Sequence, residues 1–422
     1  MKKQLTLYNV LTRAKEPFTT SGDPITLYVC GITPYDTTHL GHCFTYTSFD
    51  VLLRYLRYQG HDVRYVQNVT DIDDDILRKA EEVDDDWQEV GNRWTAHFIE
   101  DMQALNVLPP QKFPRATDVI EEIIDVVETL LERGYAYEVE GNVYFHIDKW
   151  DDFGKLSRIP RQEMLAVANE RGNHPDDPHK KDPIDFVLWQ AQALGEPAWE
   201  SPWGAGRPGW HIECSTMATT YLGETIDIHG GGADLIFPHH ECEIAQAEGA
   251  TGTEPFVRYW LHTAMVRSKG EKMSKSLGNL VMVRELLERG INGDALRVFM
   301  HMHHYRIPWQ FDEEELRTAV DQAQLLRRAV ALEGGTGDAL NPRGIINTFN
   351  TAMCDDLDTP TALAALQQYA KEIVSAASAG RDVSKAQQSL STLGAILGLR
   401  FNEEGVDKDV ASGWDSYLRE FR

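Results

Sequence analysis

The sequence is poor in positive charge. Its 422 residues carry 41 Lys and Arg against 66 Asp and Glu, a formal net charge of −25. A protein that depends on many phosphate-backbone contacts usually presents a basic surface. The balance therefore argues against extensive nucleic-acid binding beyond a local basic patch, and solubility is the plainest reading of the acid excess. Long apolar runs are also missing: nothing reaches the roughly 18 consecutive apolar residues of a membrane span. The N-terminus MKKQLTLYNV lacks the apolar stretch and cleavage site of a secretory signal. Cysteine is scarce, odd in number at five and without regular spacing, which excludes a disulfide scaffold and leaves thiol or metal roles in a reducing compartment. A cytoplasmic location is the expectation. No internal repeat marks a solenoid, and the length allows two or three domains.

What is present points to an α/β chain. Leu27–Cys30 is a short β-type run that breaks at Gly31, and His39–Tyr58 shows helical apolar spacing through Phe44, Phe49, Leu52, Leu53 and Leu56. Val63–Val66 is a second strand candidate. Strand, helix, strand is a βαβ unit, so a doubly wound parallel sheet is expected. The run from Asn68 to Asp75 then falls at a strand's carboxyl end, where ligand contacts are expected. Residues 75 to 135 read as helices. Between 136 and 198 short strands alternate with Pro/Asp/His-rich loops, which reads as an inserted subdomain. The sheet is expected to resume at Trp210–Cys214 and Thr225–His229. Beyond Asp294 the pattern is helical, with segments at 313–332, 344–353, 360–379 and 383–397 forming a bundle. The expected division is a first catalytic half (1–135), an insertion (136–198), a second catalytic half (199–265), a linking region (266–310), a helical bundle (311–400) and an unassigned tail (401–422).

Two short segments carry the chemistry. His39-Leu40-Gly41-His42 places two imidazoles on one face at a helix start, where the helix N-terminus already favours phosphate; the intervening glycine lets a nucleotide approach the backbone. More than two hundred residues later, Lys272-Met273-Ser274-Lys275-Ser276 offers two lysines on a Gly-flanked loop that can close over phosphates. Attack of a carboxylate on the α-phosphate of ATP builds negative charge that fixed donors and cations must meet. Each segment alone is weak, since four letters recur by chance and a Lys/Ser segment is usually a solvated loop. Their order and separation, with a strand before the first, predict acyl-adenylate formation.

A second constellation is Cys30, Cys214, His239 and Glu243. His239 and Glu243, four apart, share a face if helical and can grip one ion; Cys30 and Cys214 end predicted strands and can reach the same rim. Two thiolates, an imidazole and a carboxylate suit Zn2+, although a single buried Cys or a lone His-x-x-x-Glu is usually inert. His240 and Cys242 are rival ligands, whereas Cys43 and Cys354 read as packing residues. A soft metal with an open position can take a substrate thiolate directly. That would separate cysteine from serine far beyond the roughly hundredfold a hydrophobic pocket gives.

HLGH with KMSKS resembles the signature of class I aminoacyl-tRNA synthetases. Over 28–42, 68–76, 201–215, 229–246, 270–279 and the DALR tetrapeptide at 294–297, the sequence resembles the cysteinyl-tRNA synthetase family. The resemblance implies a Rossmann-like catalytic domain, Cys30, Cys214, His239 and Glu243 as zinc ligands, and ATP (with Mg2+) bound by His39, His42, His229, Gly230, Gly231, Gly232, Lys272 and Lys275. It implies a pocket for L-cysteine shaped by Gly31, Thr70, Trp210 and Asp234, the last as partner of the substrate ammonium. Transfer to tRNA(Cys) is the implied outcome, with Arg297 and the helices after it as the tRNA platform; a monomer is the expectation, although the sequence leaves the oligomeric state open. Three departures stand out: Cys43-Phe44 replace the usual Ala-Arg, Asp75 replaces a Lys, and the sequence ends without the family's small C-terminal module. These features, with ITPYDTTHLGH and NLVMV, resemble the paralogous mycothiol ligases, which join cysteine to the amine of glucosaminyl-inositol; their ERGGDP is ERGNHP here.

Overall fold

The computed structural model describes residues 3–35, 38–273, 278–401 and 408–422. Strand β1 (Ile25–Ile32) leads through HLGH into helix α1 (Leu40–Tyr58), and β2 (Val63–Val69) follows. After a helical stretch and the insertion come α2 (Trp210–Leu222), β3 (Ile226–Gly232), α3 (Glu241–Thr251) and β4 (Val257–Thr263). The four strands form a parallel sheet in the order β4-β3-β1-β2. The chain therefore steps from β1 outward to β2 and returns on the other side of β1 as β3. That reversal opens a crevice at the carboxyl ends of β1 and β3, the place where such sheets bind ligands.

Apolar periodicity accounts for these elements. On α1, Leu40, Phe44, Val51, Leu52, Tyr55 and Leu56 are buried against the sheet and the helical region. Gly230 on β3 permits that packing, because a Cβ there would lie 2.0 Å from the Phe49 ring. Buried apolar residues gather on the two sides of the sheet, one group continuing into the C-terminal helices and the other into the insertion.

The insertion is a four-stranded antiparallel sheet of Ala136–Val139, Asn142–Phe145, Phe186–Ala191 and Gly206–Pro208, with helix Arg161–Asn169. Its last strand lies beyond residue 198, and the segment expected as a strand at Trp210–Cys214 is instead the first turn of α2. Its apolar residues (Trp210, Ile212, Met217) satisfy helical as well as alternating spacing, and burial on several sides hid the period. The C-terminal helices Glu313–Ala331, Arg343–Cys354, Thr359–Ser378 and Ser384–Ile396 agree with the predicted segments. The unassigned tail carries a further helix, Lys408–Leu418. Val410, Trp414 and Leu418, spaced by four, are its buried face, and Trp414 Nε1 donates to the Val107 carbonyl at 2.8 Å. Among the described residues no helix is long and apolar enough to cross a membrane.

Arg297 corrects an expectation. It sits on α4 (Gly293–His301) and is wholly buried. Its guanidinium pairs with Asp50 of α1 and donates to the carbonyls of Leu105, Asn106 (2.8 Å) and Leu397 (3.0 Å). It ties the HLGH helix to the C-terminal helices and presents nothing to a polyanion. Arg54 also holds Asp50, at 2.8 Å. Burial pushes the Asp50 carboxyl up, but Arg54 and Arg297 together bring it below its ordinary value. We expect Arg297→Met to cost about 3 kcal/mol in urea unfolding, as for breaking a buried pair, with Asp50→Asn/Arg297→Met recovering part of the loss. Because the folded Asp50 value is lowered, its contribution is present above the unfolded carboxylate value and fades as pH falls through the folded one. The acid limb of the stability profile should therefore flatten in Asp50→Asn.

Candidate active site and metal centre

The crevice is a cavity of about 880 Å³ lined among others by Cys30, Gly31, His39, His42, Trp210 and Asp234. Its wall is the start of α1. His39 is the N-cap: its Nδ1 accepts from the N–H of Gly41 (3.1 Å) and His42 (3.4 Å). That use of Nδ1 as an acceptor puts the ring proton on Nε2. The two imidazoles stack with centroids 3.8 Å apart. Gly41 is required for this arrangement, since a Cβ would stand 2.9 Å from His39 Cε1; its close approach is to an imidazole of its own motif. The KMSKS region comes to the same wall. Met273 reaches Gly41, and the Leu40 N–H donates to the Val281 carbonyl at 2.8 Å. Lys272 ends a two-residue strand paired with Val266–Ser268, and Lys275 lies outside the described residues.

Cys30 ends in this cavity, and behind it the four expected ligands converge. The ligand atoms of Cys30, Cys214, His239 and Glu243 all lie within 4.8 Å of one another, and all four residues are buried. Cys30 comes from the end of β1, Cys214 from the first turns of α2, His239 from the irregular turn Ile236–His240 and Glu243 from the start of α3. His239 Nε2 is 3.2 Å from Glu243 Oε1, and the Cys30 thiol is 3.6 Å from the same oxygen. A second grouping, Cys30, His229, His240 and Glu243, occupies overlapping space. Cys242 belongs to neither and stays a buried wall residue.

The polar environment of this cluster tests whether a cation fits. Burial drives His239 and His240 well below the ordinary imidazole range, with neighbouring imidazoles adding to the effect, so both are neutral. Burial, followed by Cys214 and Glu243, holds the Cys30 thiol up. Glu243 is a fully buried acidic side chain whose described partners are imidazoles and a thiol. A buried carboxylate without a full positive partner is costly, and a divalent cation would answer it while drawing both thiols to thiolates. The donor set fits zinc.

Three histidines that the sequence reading did not use as metal partners form a surrounding shell. His211 Nδ1 lies 2.9 Å from His239 Nδ1, and burial, then Lys180, lowers His211 to about 3, so it is neutral. If His239 Nε2 bears a metal, its proton sits on Nδ1 and His211 must accept it. His262 Nε2 meets His240 Nδ1 at 2.7 Å. His229, expected to face ATP, is instead wholly buried with Nε2 2.9 Å from Glu243 Oε2, and it stacks on Trp260. It orients a carboxylate rather than a phosphate, and of the HGGG run Gly232 is the residue that reaches the cavity. The adjacency of His211 to Cys214 in sequence was the available signal; for His262 there was none.

Of the expected cysteine pocket, Gly31, Trp210 and Asp234 line the cavity, and the Trp210 ring packs at a tilt against His239 with centroids 4.3 Å apart. Thr70 does not line it. It lies buried just past β2, receiving a hydrogen bond from Asn68 Nδ2 at 3.2 Å.

Residues 18–321 match the tRNA synthetases class I (C) catalytic domain, and residues 348–402 match the DALR domain. The chain belongs to the class I tRNA synthetases. Its DALR match starts well beyond the tetrapeptide at 294–297. The L-cysteine:1D-myo-inositol 2-amino-2-deoxy-alpha-D-glucopyranoside ligase of Thermobifida fusca (strain YX) is 44% identical over 395 residues, 94% of each chain. The cysteine--tRNA ligase of Dehalococcoides mccartyi is 43% identical over 411 residues, 96% of this chain and 89% of that one. Both are ligases, and so is this synthetase-family chain. A methionyl-tRNA synthetase of Mycobacterium tuberculosis, in complex with methionyl-adenylate, shares the fold with a TM-score of 0.63 at 16% identity, over 95% of this chain and 93% of that one.

The N-cap contact of His39 can be tested apart from any chemistry of its ring. His39→Asn keeps an N-cap acceptor and should leave the melting temperature within the small margin between good caps. Loss of the imidazole should lower the adenylation rate by about a hundredfold, the scale of one transition-state donor; an unchanged rate would remove His39 from the site.

Proposed function

We propose that this ligase activates L-cysteine with ATP as cysteinyl-adenylate, releasing pyrophosphate, and transfers the cysteinyl group to tRNA(Cys), acting as a cytoplasmic monomer. The observation that carries the first step is the convergence of Cys30, Cys214, His239 and Glu243 behind a cavity whose wall is His39 and His42. In this reading Cys30, Cys214, His239 and Glu243 hold zinc. A bound zinc ion supplies a soft contact that takes a thiolate and discriminates against a hydroxyl. His211 and His229 orient His239 and Glu243. Asp234 receives the substrate ammonium, with Trp210 and Gly31 bounding the side chain.

The carboxylate of cysteine attacks the α-phosphorus in line as the bond to the pyrophosphate oxygen breaks. The reaction is governed by placement and charge. His39 Nε2–H and His42, at the N-terminus of α1, meet the phosphoryl oxygens where the helix end favours anions. Lys272 and Lys275 neutralise the departing Mg2+-pyrophosphate. Transfer then joins the cysteinyl carbonyl to the acceptor and releases AMP.

The tRNA acceptor is supported by the synthetase-like segments, the DALR match and the cysteine--tRNA ligase relatives. A second reading, amide formation with the amine of glucosaminyl-inositol, is favoured by a specific feature. Asp73, Asp74, Asp75, Glu170 and Asp177 line the cavity, a setting suited to an amine, and the mycothiol-ligase type relative matches at equal identity over nearly its whole length.

Exchange of pyrophosphate into ATP should depend on cysteine and be very weak with serine; equal exchange with both would sink the thiolate reading. Cys214→Ser should lose bound metal together with that selectivity, and full metal occupancy in this variant would exclude Cys214 as a ligand. Lys275→Ala should lower kcat with little change in cysteine KM, as for a charge used chiefly in the transition state. The acceptor is decided by presenting enzyme-bound cysteinyl-adenylate with tRNA(Cys) or with glucosaminyl-inositol. Acylation of the amine alone would replace the tRNA assignment.

A further inference from the structure

Helix Arg161–Asn169 of the insertion ends at Glu170, and the next residue crosses to the catalytic domain. Arg171 Nη1 donates to the backbone carbonyls of both Asp234 and Phe237. These carbonyls belong to the irregular stretch between β3 and α3. There a short turn, Ala233–Leu235, is followed by a break at Phe237 (φ −139°, ψ 135°) before the chain reaches His239. An interrupted helix leaves carbonyls without their usual N–H partners, and carbonyls shielded from water need a donor. One guanidinium nitrogen supplies both. The stretch it holds carries Asp234 on the cavity wall at one end and His239 at the other.

The loop bearing Arg171 is fixed to its own subdomain. Asn173 Nδ2 donates to Asn169 Oδ1 (2.7 Å) and to the Pro183 carbonyl (3.0 Å), and Lys180 Nζ donates to Asn173 Oδ1 at 2.6 Å. Tyr144 of the inserted sheet donates to Asp177 at 2.7 Å. Arg171 therefore links a braced insertion to the turn on which the amino-acid pocket depends.

We propose that Arg171 is a positioning residue for cysteine recognition, holding the Asp234–His239 turn in shape when the insertion is docked. This deepens the cysteine-activation reading and rests on it. It sets the affinity for the amino acid and leaves ATP binding and the chemical step alone, because among the described residues its side-chain hydrogen bonds go to that turn, although the residue also borders the cavity.

The test is cysteine-dependent ATP–pyrophosphate exchange by the full-length wild type, Arg171→Ala and Arg171→Lys, with cysteine and ATP varied separately. Arg171→Ala should raise the KM for cysteine by about tenfold or more, with kcat and the KM for ATP within about twofold. In Arg171→Lys one ammonium can serve both carbonyls as Nη1 does, so the rise should shrink to about threefold. Should Arg171→Ala fail to fold, the Lys variant decides alone: a raised cysteine KM at constant ATP KM supports the role. Equal rises in both KM values, a loss confined to kcat, or unchanged kinetics overturns it. Wild-type protein without cysteine-dependent exchange removes the underlying reading and this one with it, whereas wild-type exchange indifferent to residue 171 counts against Arg171 alone.

Discussion

The burial of Glu243 among imidazoles and thiols is the constraint around which the catalytic half is arranged. A carboxylate with no exposure and no guanidinium or ammonium among its described partners is tolerated only if something else supplies positive charge. Four separate chain segments are brought to it: the end of β1 with Cys30, the first turns of α2 with Cys214, the middle of β3 with His229 and the broken turn before α3 with His239. The crossing order of the sheet makes this possible, because β1 and β3 are neighbours although about two hundred residues separate them in the chain. The metal-capable cluster and the crevice are consequently one feature seen from two sides.

Around this centre the histidines divide by depth. His39 and His42 stand on the cavity wall, where one of them also completes the helix start. His229, His240 and His262 lie inside, His211 reaches from that interior to the cavity wall, and His211, His240 and His262 are held neutral by burial. A neutral imidazole is a good ligand or a directional hydrogen-bond partner but contributes no charge. The interior histidines are therefore suited to fixing geometry. The helix N-terminus at His39 is a fixed source of partial positive charge on the cavity wall.

A second set of buried charges, Asp50 with Arg54 and Arg297, joins the helix that begins with HLGH to the C-terminal helices. The acid excess of the chain is compatible with this architecture. The DALR arginine is consumed internally, so any contact with a polyanion has to use other residues. The lining of the crevice is itself rich in carboxylates, which is why the second acceptor reading keeps its weight.

Much was legible in the sequence. The βαβ start, the helical C-terminal segments and the metal-capable quartet were readable because each rests on local spacing or on residue chemistry that burial does not disguise: α1 shows a clean 3.6-residue period, and two Cys, a His and a Glu are costly to bury together without a purpose. The helix at Trp210–Leu222 was misread because a helix covered on several sides loses its polar face and its period with it. Only the tertiary structure could decide the rest: that His229 turns inward to Glu243, that Thr70 stands behind the cavity, that Arg297 is internal and that Arg171 reaches from an inserted subdomain to the turn beside the ligands. Those assignments depend on which side of a strand or loop meets which neighbour, and the neighbours come from segments tens to hundreds of residues away. Residue type and spacing fix what a side chain can do, and long-range packing fixes what it faces.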